Sequence, residues 1–285
     1  MSVAAEPIGV ARARPTLPAR VLRFVRAHAL AVFAIAVLVY LLLPIAVVAL
    51  FSFNDPAGRF NYTWQGFTLD HWLNPFAVAG LQDAIVVSLK IAVLASAIAT
   101  ILGTPIALAL VRYRYRGRGA TNTLIFMAMT TPEIVLGASL LTLFLNLGVA
   151  RGFWTIFVAH VMFNISFVVV TVRARVVGFD RHLEEAAMDL GANPWTTFVR
   201  VTLPIIAPGI LAAAFLAFAL SIDDFIITNF NAGTTVTFPM FVWGAARIGA
   251  PPQVNVIGIV IFVAAVGLML ANILFQSHRT KKGAV

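Results

Sequence analysis

The feature that most constrains this chain is a series of long apolar segments, each of them long enough to cross a lipid bilayer as a helix. A membrane-spanning helix needs about 20 mostly apolar residues. Six segments meet that requirement, and they are residues 29–51, 84–111, 121–148, 153–172, 205–230 and 254–275. We therefore predict an all-α membrane protein with six transmembrane helices, the first of which is a retained helix rather than a removed signal peptide.

Composition explains why these segments need a membrane. Hydrophobic residues make up 61% of the 285 residues and charged residues only 11%, whereas a soluble domain carries about 25% charged residues. The absence of cysteine excludes disulfides and thiol chemistry. A net charge of +9 would suggest nucleic acid in a soluble protein, but here the basic residues lie in short segments between apolar runs. We expect a lipid bilayer and no nucleic acid as partner.

The basic residues also predict the orientation of the chain, since Lys and Arg concentrate in cytoplasmic segments. One set of alternate segments contains most of them: Arg12, Arg14, Arg20, Arg23, Arg26, Arg112, Arg114, Arg116, Arg118, Arg173, Arg175, Arg181, Arg200, Arg279, Lys281 and Lys282. The opposite set contains Arg59, Arg151 and Arg247. Both termini are therefore predicted to be cytoplasmic, with residues 1–27 and 277–285 as tails and residues 28–276 as the membrane domain.

Ionisable side chains inside predicted spans are candidates for function, because a charge at the centre of a membrane helix costs about 2.5–3.5 kcal/mol. Glu133 follows Pro132 in the third segment, and the fifth contains Pro208, Asp223 and Asp224, so we predict that both helices are interrupted. Adjacent helical residues point about 100° apart, so one aspartate should face a pathway while the other caps or pairs. Such carboxylates favour a cationic or amine-bearing cargo, although Glu133 could instead pair with another helix or subunit.

The pattern of residues 180–204 predicts two short helices joined by a glycine bend. One apolar helical face would have residues at positions i, i+3, i+4 and i+7, and this spacing is found at Leu183, Ala186, Ala187 and Leu190. Asp180 suits the start of the first helix, Gly191 suits its left-handed end, and Asn193 followed by Pro194 suits the start of the second. Periodicity alone would also fit an ordinary connection between two spans.

The same segment resembles the EAA signature of ATP-binding-cassette (ABC) importer permeases, in which Glu-Ala-Ala is followed at fixed spacing by Gly and Ile-x-Leu-Pro. The matching residues are Glu185, Ala186, Ala187, Gly191, Leu203 and Pro204, with Val201 in place of isoleucine. The resemblance implies a MetI-like permease fold whose loop docks on an ATP-binding subunit. It assigns ATPase coupling to Glu185, Ala186, Ala187 and Gly191, with Glu184 and Asp189 as further candidates that could instead face solvent.

Catalysis is expected to belong to other subunits. The chain lacks the G-x-x-x-x-G-K-[ST] and G-x-G-x-x-G nucleotide-binding motifs, and its 5 histidines are scattered, so we expect no metal site. The resemblance implies no cofactor in this chain, because ATP and Mg²⁺ are bound by a dimer of partner ATPase subunits. It further implies a second related permease chain, an extracytoplasmic solute-binding protein and a bacterial inner-membrane location.

A finer resemblance concerns the cargo. Residues 88–92, 132–137, 221–225 and 248–255 are similar to spermidine/putrescine permease subunits of the PotC and PotI type. This resemblance implies import of polyamines by alternating access, with Asp223, Asp224 and Glu133 in the pathway. Three alternatives stay open: an ABC permease for another small solute such as iron or thiamine, an ion-gradient-driven carrier, and a channel or membrane scaffold.

Overall fold

The computed structural model describes the backbone of residues 17–282 and the side chains of residues 28–267 and 270. The side chains of the two predicted tails, residues 1–27 and 277–285, lie outside this described part. Within it the regular secondary structure is helical, apart from a single antiparallel bridge between Asn54 and Phe67. The helices are α1 Leu17–Phe51, α2 Asp70–Leu73, α3 Leu81–Arg112, α4 Arg118–Thr130, α5 Glu133–Asn146, α6 Phe153–Val177, α7 His182–Asp189, α8 Pro194–Thr197, a π-helical turn Phe198–Thr202, α9 Leu203–Ile222, α10 Ile226–Asn231, α11 Phe238–Ile248 and α12 Pro252–Lys282.

Several of these helices are long and apolar enough to cross a membrane. Four qualify singly among the described residues, and they are His28–Phe51, Leu81–Arg112, Phe153–Val177 and the continuous run Pro194–Ile222. Helices α4 and α5 together would supply a fifth span. The sixth predicted span, residues 254–275, lies in α12, whose described apolar part is Pro252–Gly267. The structure thus supports four to five spans, and the sixth stays a prediction.

The third predicted segment is interrupted, as Pro132 led us to expect. Helix α4 ends at Thr130, α5 begins at Glu133, and the two are bent by 107°. Proline has no N–H to donate and disfavours helical geometry in the residue before it. Thr131 accordingly has extended backbone angles, with φ −66° and ψ 127°. The break leaves Glu133 in the first turn of α5.

The fifth predicted segment is interrupted as well, and the interruption lies at Asp223 and Asp224. Pro208 lies inside the unbroken helix α9, so of the three residues named for this interruption it is the one that causes none. Helix α9 ends at Ile222 and α10 follows as a separate helix, so residues 205–230 do not form one span. The Asp224 carboxylate lies just before α10 and accepts hydrogen bonds from the backbone N–H groups of Ile227 and Thr228 in its first turn, at 3.3 and 2.7 Å, which satisfies N–H groups that have no partner within the helix.

Helices α3 and α6 run parallel and pack closely in the core. Near one end Ile91 belongs to the same buried cluster as Ile156. Farther along, a Cβ on Gly103 would lie 2.7 Å from Cγ1 of Val168. The helices approach so closely here that no side chain fits, as is common where membrane helices pack through small residues.

Helix α9 runs antiparallel to α6 and completes the core. Ser221, at the end of α9, is hydrogen-bonded to His160 near the start of α6 at 2.6 Å. Near the start of α9, a Cβ on Gly209 would lie 2.6 Å from the Arg175 side chain at the end of α6. Helix α9 has 20 residues and is therefore about 30 Å long at 1.5 Å per residue. The two groups of predicted site residues lie at its opposite ends.

Candidate functional site

The first group lies in residues 180–204, which we call the bent segment. The predicted bend is confirmed, because Gly191 has φ +88°, in the left-handed region that favours glycine. Asn193 then accepts a hydrogen bond from the Thr196 N–H at 2.8 Å and caps α8. The first helix of the segment begins at His182, whose N–H donates to Asp180 at 3.0 Å. Local sequence therefore determines the shape of this segment.

Most of the predicted coupling residues in the bent segment are accessible. The Glu185 side chain is 61% exposed, and Leu190 and Trp195 are 90% and 72% exposed. Leu190 and Trp195 were not among the predicted coupling residues. The predicted members other than Glu184 and Glu185 are exposed or half-buried, and they are Ala186, Ala187, Asp189 and Gly191. The apolar face that the spacing predicts is present, but much of it does not pack against the rest of this chain.

Glu184 differs from these neighbours because it is buried within the chain. Its Oε1 accepts hydrogen bonds from Nη2 of Arg112 at 2.5 Å and from the Thr202 hydroxyl. The Arg112 guanidinium also lies 5.6 Å from the centre of the Phe179 ring. Sequence reasoning placed Glu184 among the coupling residues. It could not separate Glu184 from them, because helical spacing does not reveal which face of a short helix packs against the rest of its own chain.

The second group lies at the other end of α9, where Asp224 is buried. Its Oδ2 lies 3.2 Å from Nε2 of His160 and accepts hydrogen bonds from the N–H and the hydroxyl of Thr228, both at 2.7 Å. The other ring nitrogen of His160 is hydrogen-bonded to Ser221. Asp224 is therefore the aspartate that pairs and bonds to the start of α10. Both aspartates lie in the break between α9 and α10, so their different roles do not come from the angular separation within a helix on which the prediction was based.

Asp223 has the opposite surroundings. It is exposed and lines a cavity of about 480 Å³. The other lining residues include Ile222, Phe225, Phe238, Val242, Trp243 and Ile261. The rings of Phe225 and Trp243 lie 5.3 Å apart, and the Arg247 guanidinium lies 4.8 Å from the Trp243 ring centre. A carboxylate beside aromatic rings can bind an ammonium group through both charge and cation–π attraction.

Glu133 is the third carboxylate in this region. It is the exposed first residue of α5 and lies close enough to Asp224 and Asp223 to interact with both electrostatically. Helix α10 holds α5 in place, since the Asn231 side-chain amide donates to the Gly137 carbonyl at 3.3 Å. The structure thus brings together all three carboxylates that the sequence singled out.

His160 is the site residue that sequence reasoning missed. It is 2% exposed and connects α6 to α9 and, through a contact of 2.9 Å with Thr228, to α10. The sequence signal that could have found His160 is its place inside an apolar span, because an ionisable histidine there is a functional candidate in the same way as a carboxylate.

The described residues contain no group of three or more His, Cys, Asp or Glu side chains that could hold a metal ion.

Comparison with known proteins relates this geometry to membrane transport. Residues 99–279, which contain both groups, match a family described as binding-protein-dependent transport system inner membrane component. The chain is 36% identical over 250 residues to the spermidine/putrescine transport system permease protein PotC of Escherichia coli strain K12, a match that covers 87% of this chain and 94% of PotC. It is 37% identical over 238 residues to the putrescine transport system permease protein PotI of the same strain, with coverage of 81% and 84%.

A solved structure shows the same fold. The chain is similar to a chain of a bacterial alginate ABC transporter in complex with an alginate pentasaccharide-bound periplasmic protein, with a TM-score of 0.59. The two are 17% identical, and the match covers 88% of this chain and 95% of that chain. The helical permease fold implied by the bent segment is thereby confirmed.

Proposed function

The chain belongs to the family of binding-protein-dependent transport system inner membrane components, and from this premise we propose that it moves polyamines into the bacterial cytoplasm by alternating access. It is a permease subunit of an ABC importer, and therefore a transport component rather than a catalyst. Membership of this family also argues against an ion-gradient-driven carrier and against a channel or membrane scaffold.

The exposed carboxylate of Asp223 is the observation that carries the cargo assignment. It lines a cavity with the rings of Phe225 and Trp243, and such a combination binds desolvated ammonium groups, with about 0.5–2 kcal/mol from each cation–π contact. The names of PotC and PotI, which refer to spermidine and putrescine, support the same class of cargo. An ABC permease for another small solute is the alternative, and an anionic solute would be repelled here.

The second carboxylate suits a cargo with more than one ammonium group. Glu133 does not line the cavity, but it interacts electrostatically with Asp223 and offers a second negative charge. The apolar side chains of Val242 and Ile261 line the cavity and offer a wall for the methylene groups of such a cargo. Asp224, which is bonded to His160, acts by holding the break between α9 and α10 in place. In this proposal all three carboxylates belong to the pathway, but only two meet cargo.

Energy for transport comes from partner subunits. ATP and Mg²⁺ bind to a dimer of ATP-binding subunits, and this chain holds no cofactor of its own. The exposed face of the bent segment docks on that dimer. Leu190 and Trp195 supply apolar contact, and Gly191 supplies the bend. The remaining residues supply small surfaces or charges that pair with Arg or Lys: Ala186, Ala187, Glu185 and Asp189.

Two further partners complete the proposed assembly. A second, related permease chain lies beside this one, and a periplasmic solute-binding protein delivers cargo, as the periplasmic protein in the alginate transporter structure suggests. Residues 28–276 form a domain of six spans in the inner membrane, and both tails lie in the cytoplasm. The His28–Phe51 part of α1 is almost wholly exposed in the isolated chain, which leaves it available to lipid and to the second permease.

The test is cargo uptake by the complete importer. The chain is reconstituted into liposomes with its second permease, its ATPase and its binding protein, with ATP on the ATPase side and radiolabelled putrescine or spermidine outside. We expect uptake that needs ATP hydrolysis, is competed by unlabelled polyamines and survives an uncoupler. ATP-driven uptake of an unrelated solute with no polyamine uptake would refute the cargo assignment.

A further inference from the structure

Three side chains join the bent segment to the membrane core, and we call them the Glu184 junction. They are Glu184, Arg112 and Thr202, linked by the two hydrogen bonds to the Glu184 carboxylate. The junction is shielded from solvent, because the Arg112 and Glu184 side chains are 16% and 12% exposed and Thr202 is 0% exposed. A charge pair with so little water is held more rigidly than a surface pair.

The junction connects elements that the chain itself does not connect directly. Arg112 is the last residue of α3 and lies 72 positions before Glu184, with α4, α5 and α6 between them. Thr202 ends the π-helical turn that leads into α9, and such turns often occur where a helix must adjust for function. One carboxylate in α7 therefore holds the ends of two core helices.

The covalent route from α7 to α9 is less rigid. It passes through Gly191, whose backbone is left-handed and around which a Cβ would meet nothing within 4 Å. A bend without packed neighbours transmits displacement poorly, because coupling is carried by packed side chains and bonded networks. The Glu184 junction bypasses this bend.

Helix α3 leads from the junction to the cavity. It has 32 residues, and near its other end the Ser88 hydroxyl accepts a hydrogen bond from the backbone N–H of Phe238 at 2.8 Å. Phe238 lines the cavity that contains Asp223. A continuous series of contacts thus runs from Glu184 through Arg112 and α3 to the candidate cargo site.

We propose that Glu184 is a positioning residue that transmits movement of the bent segment to α3 and α9, while its exposed neighbour Glu185 meets the ATPase. The inference rests on the proposed function of the bent segment, and it gives Glu184 a role inside the chain. A purely structural role would predict lost assembly when Glu184 is changed. Transmission predicts instead that the importer assembles and hydrolyses ATP but moves less cargo for each ATP.

The experiment measures polyamine uptake and ATP hydrolysis in the same proteoliposomes of the complete importer. For Glu184→Ala we expect retained ATPase activity and roughly a tenfold fall in cargo moved per ATP, within the range seen for residues that couple distant sites. In Glu184→Gln, which keeps the hydrogen-bonding shape, the cargo moved per ATP should fall less. In Glu184→Arg this ratio should fall at least as far as in the alanine variant. Combining Glu184→Arg with Arg112→Glu should restore the ratio to within about threefold of the original, because the pair is re-formed with reversed charges.

A matched control is available at the same end of the bundle. Asn122 accepts a hydrogen bond from Arg173 at 2.6 Å and joins α4 to α6, and neither residue belongs to the bent segment. Asn122→Ala removes a comparable contact and should leave the cargo moved per ATP unchanged.

The possible outcomes separate the two proposals. An unchanged ratio in Glu184→Ala and Glu184→Gln, in an importer that transports, would overturn the transmission role alone. Failure of every Glu184 variant to assemble, the reversed pair included, would show a folding role and would also overturn it. An unmodified importer without ATP-driven polyamine uptake would refute the cargo assignment, and one that binds no ATPase would refute the coupling assignment and with it the role of Glu184.

Discussion

Asp223 and Asp224 are neighbours in the chain, but their carboxylates have opposite surroundings. Asp224 is paired with His160 and bonded to Thr228, whereas Asp223 is exposed to the cavity. A charge that is buried in protein must be paired, because its hydration is lost. A charge that lines a cavity keeps its capacity to bind a ligand. The difference in burial therefore indicates a structural role for the Asp224 carboxylate, whereas the Asp223 carboxylate is accessible to a ligand.

The two aspartates are expected to respond differently to substitution. Asp224→Ala removes a helix cap and one partner of a buried pair, so we expect a loss of about 3 kcal/mol or more in stability. This loss should be measured as a lower thermal unfolding temperature of the purified importer in detergent.

Asp223→Asn should leave the stability within about 0.5 kcal/mol of the original. It should also raise the KM for polyamine uptake about tenfold, which is equivalent to about 1.4 kcal/mol of binding. Equal destabilisation by the two changes would contradict this division of roles.

At the scale of elements, two glycines make bends with nearly the same local geometry. Gly191 in the bent segment has φ +88°, and Gly117, between α3 and α4, has φ +95°. A Cβ at either position would meet nothing within 4 Å. A larger residue at either site is therefore opposed by the backbone conformation rather than by a neighbouring atom.

This similarity provides a controlled test of the bent segment. Gly191→Val and Gly117→Val should each cost about 1–2 kcal/mol, because a left-handed backbone brings Cβ too close to the next carbonyl oxygen. Only Gly191→Val should also lower the cargo moved per ATP, since it reshapes the face that we propose to dock on the ATPase. ATPase activity and uptake measured together give the ratio. Equal ratios in the two variants would mean that the bend matters for folding and not for coupling.

The positions of most apolar spans could be predicted from the sequence, but the directions and contacts of the helices could not. Hydropathy locates a span because the bilayer requires a long apolar run, and Pro132 marks a break because it lacks an N–H. Neither gives the bend of 107° between α4 and α5, nor explains why Pro208 leaves α9 continuous. The burial of Glu184 and the pairing of His160 depend on residues far away in the chain, which local periodicity does not register.

At the scale of the whole molecule, three core helices join two ends with different chemistry. One end carries the bent segment with the basic side chains Arg112, Arg173 and Arg175, and the other carries the carboxylates and the aromatic cavity. Helices α3 and α9 each extend between these ends. A membrane permease driven from the cytoplasm needs this separation, because cargo enters on the side away from the ATPase. The charge pattern predicts that the end with the bent segment faces the cytoplasm.

This orientation can be tested directly because the chain has no cysteine of its own. Arg59 is exposed before α3, and Arg114 and Arg116 are exposed just after it. Since α3 is long and apolar enough to cross the bilayer, these positions should lie on opposite sides. In intact cells a membrane-impermeant maleimide should label Arg59→Cys, while Arg114→Cys and Arg116→Cys should react only after the membrane is opened. Labelling of all three from outside would mean that α3 does not cross, and labelling of the last two alone would invert the orientation and place the bent segment out of reach of any cytoplasmic ATPase.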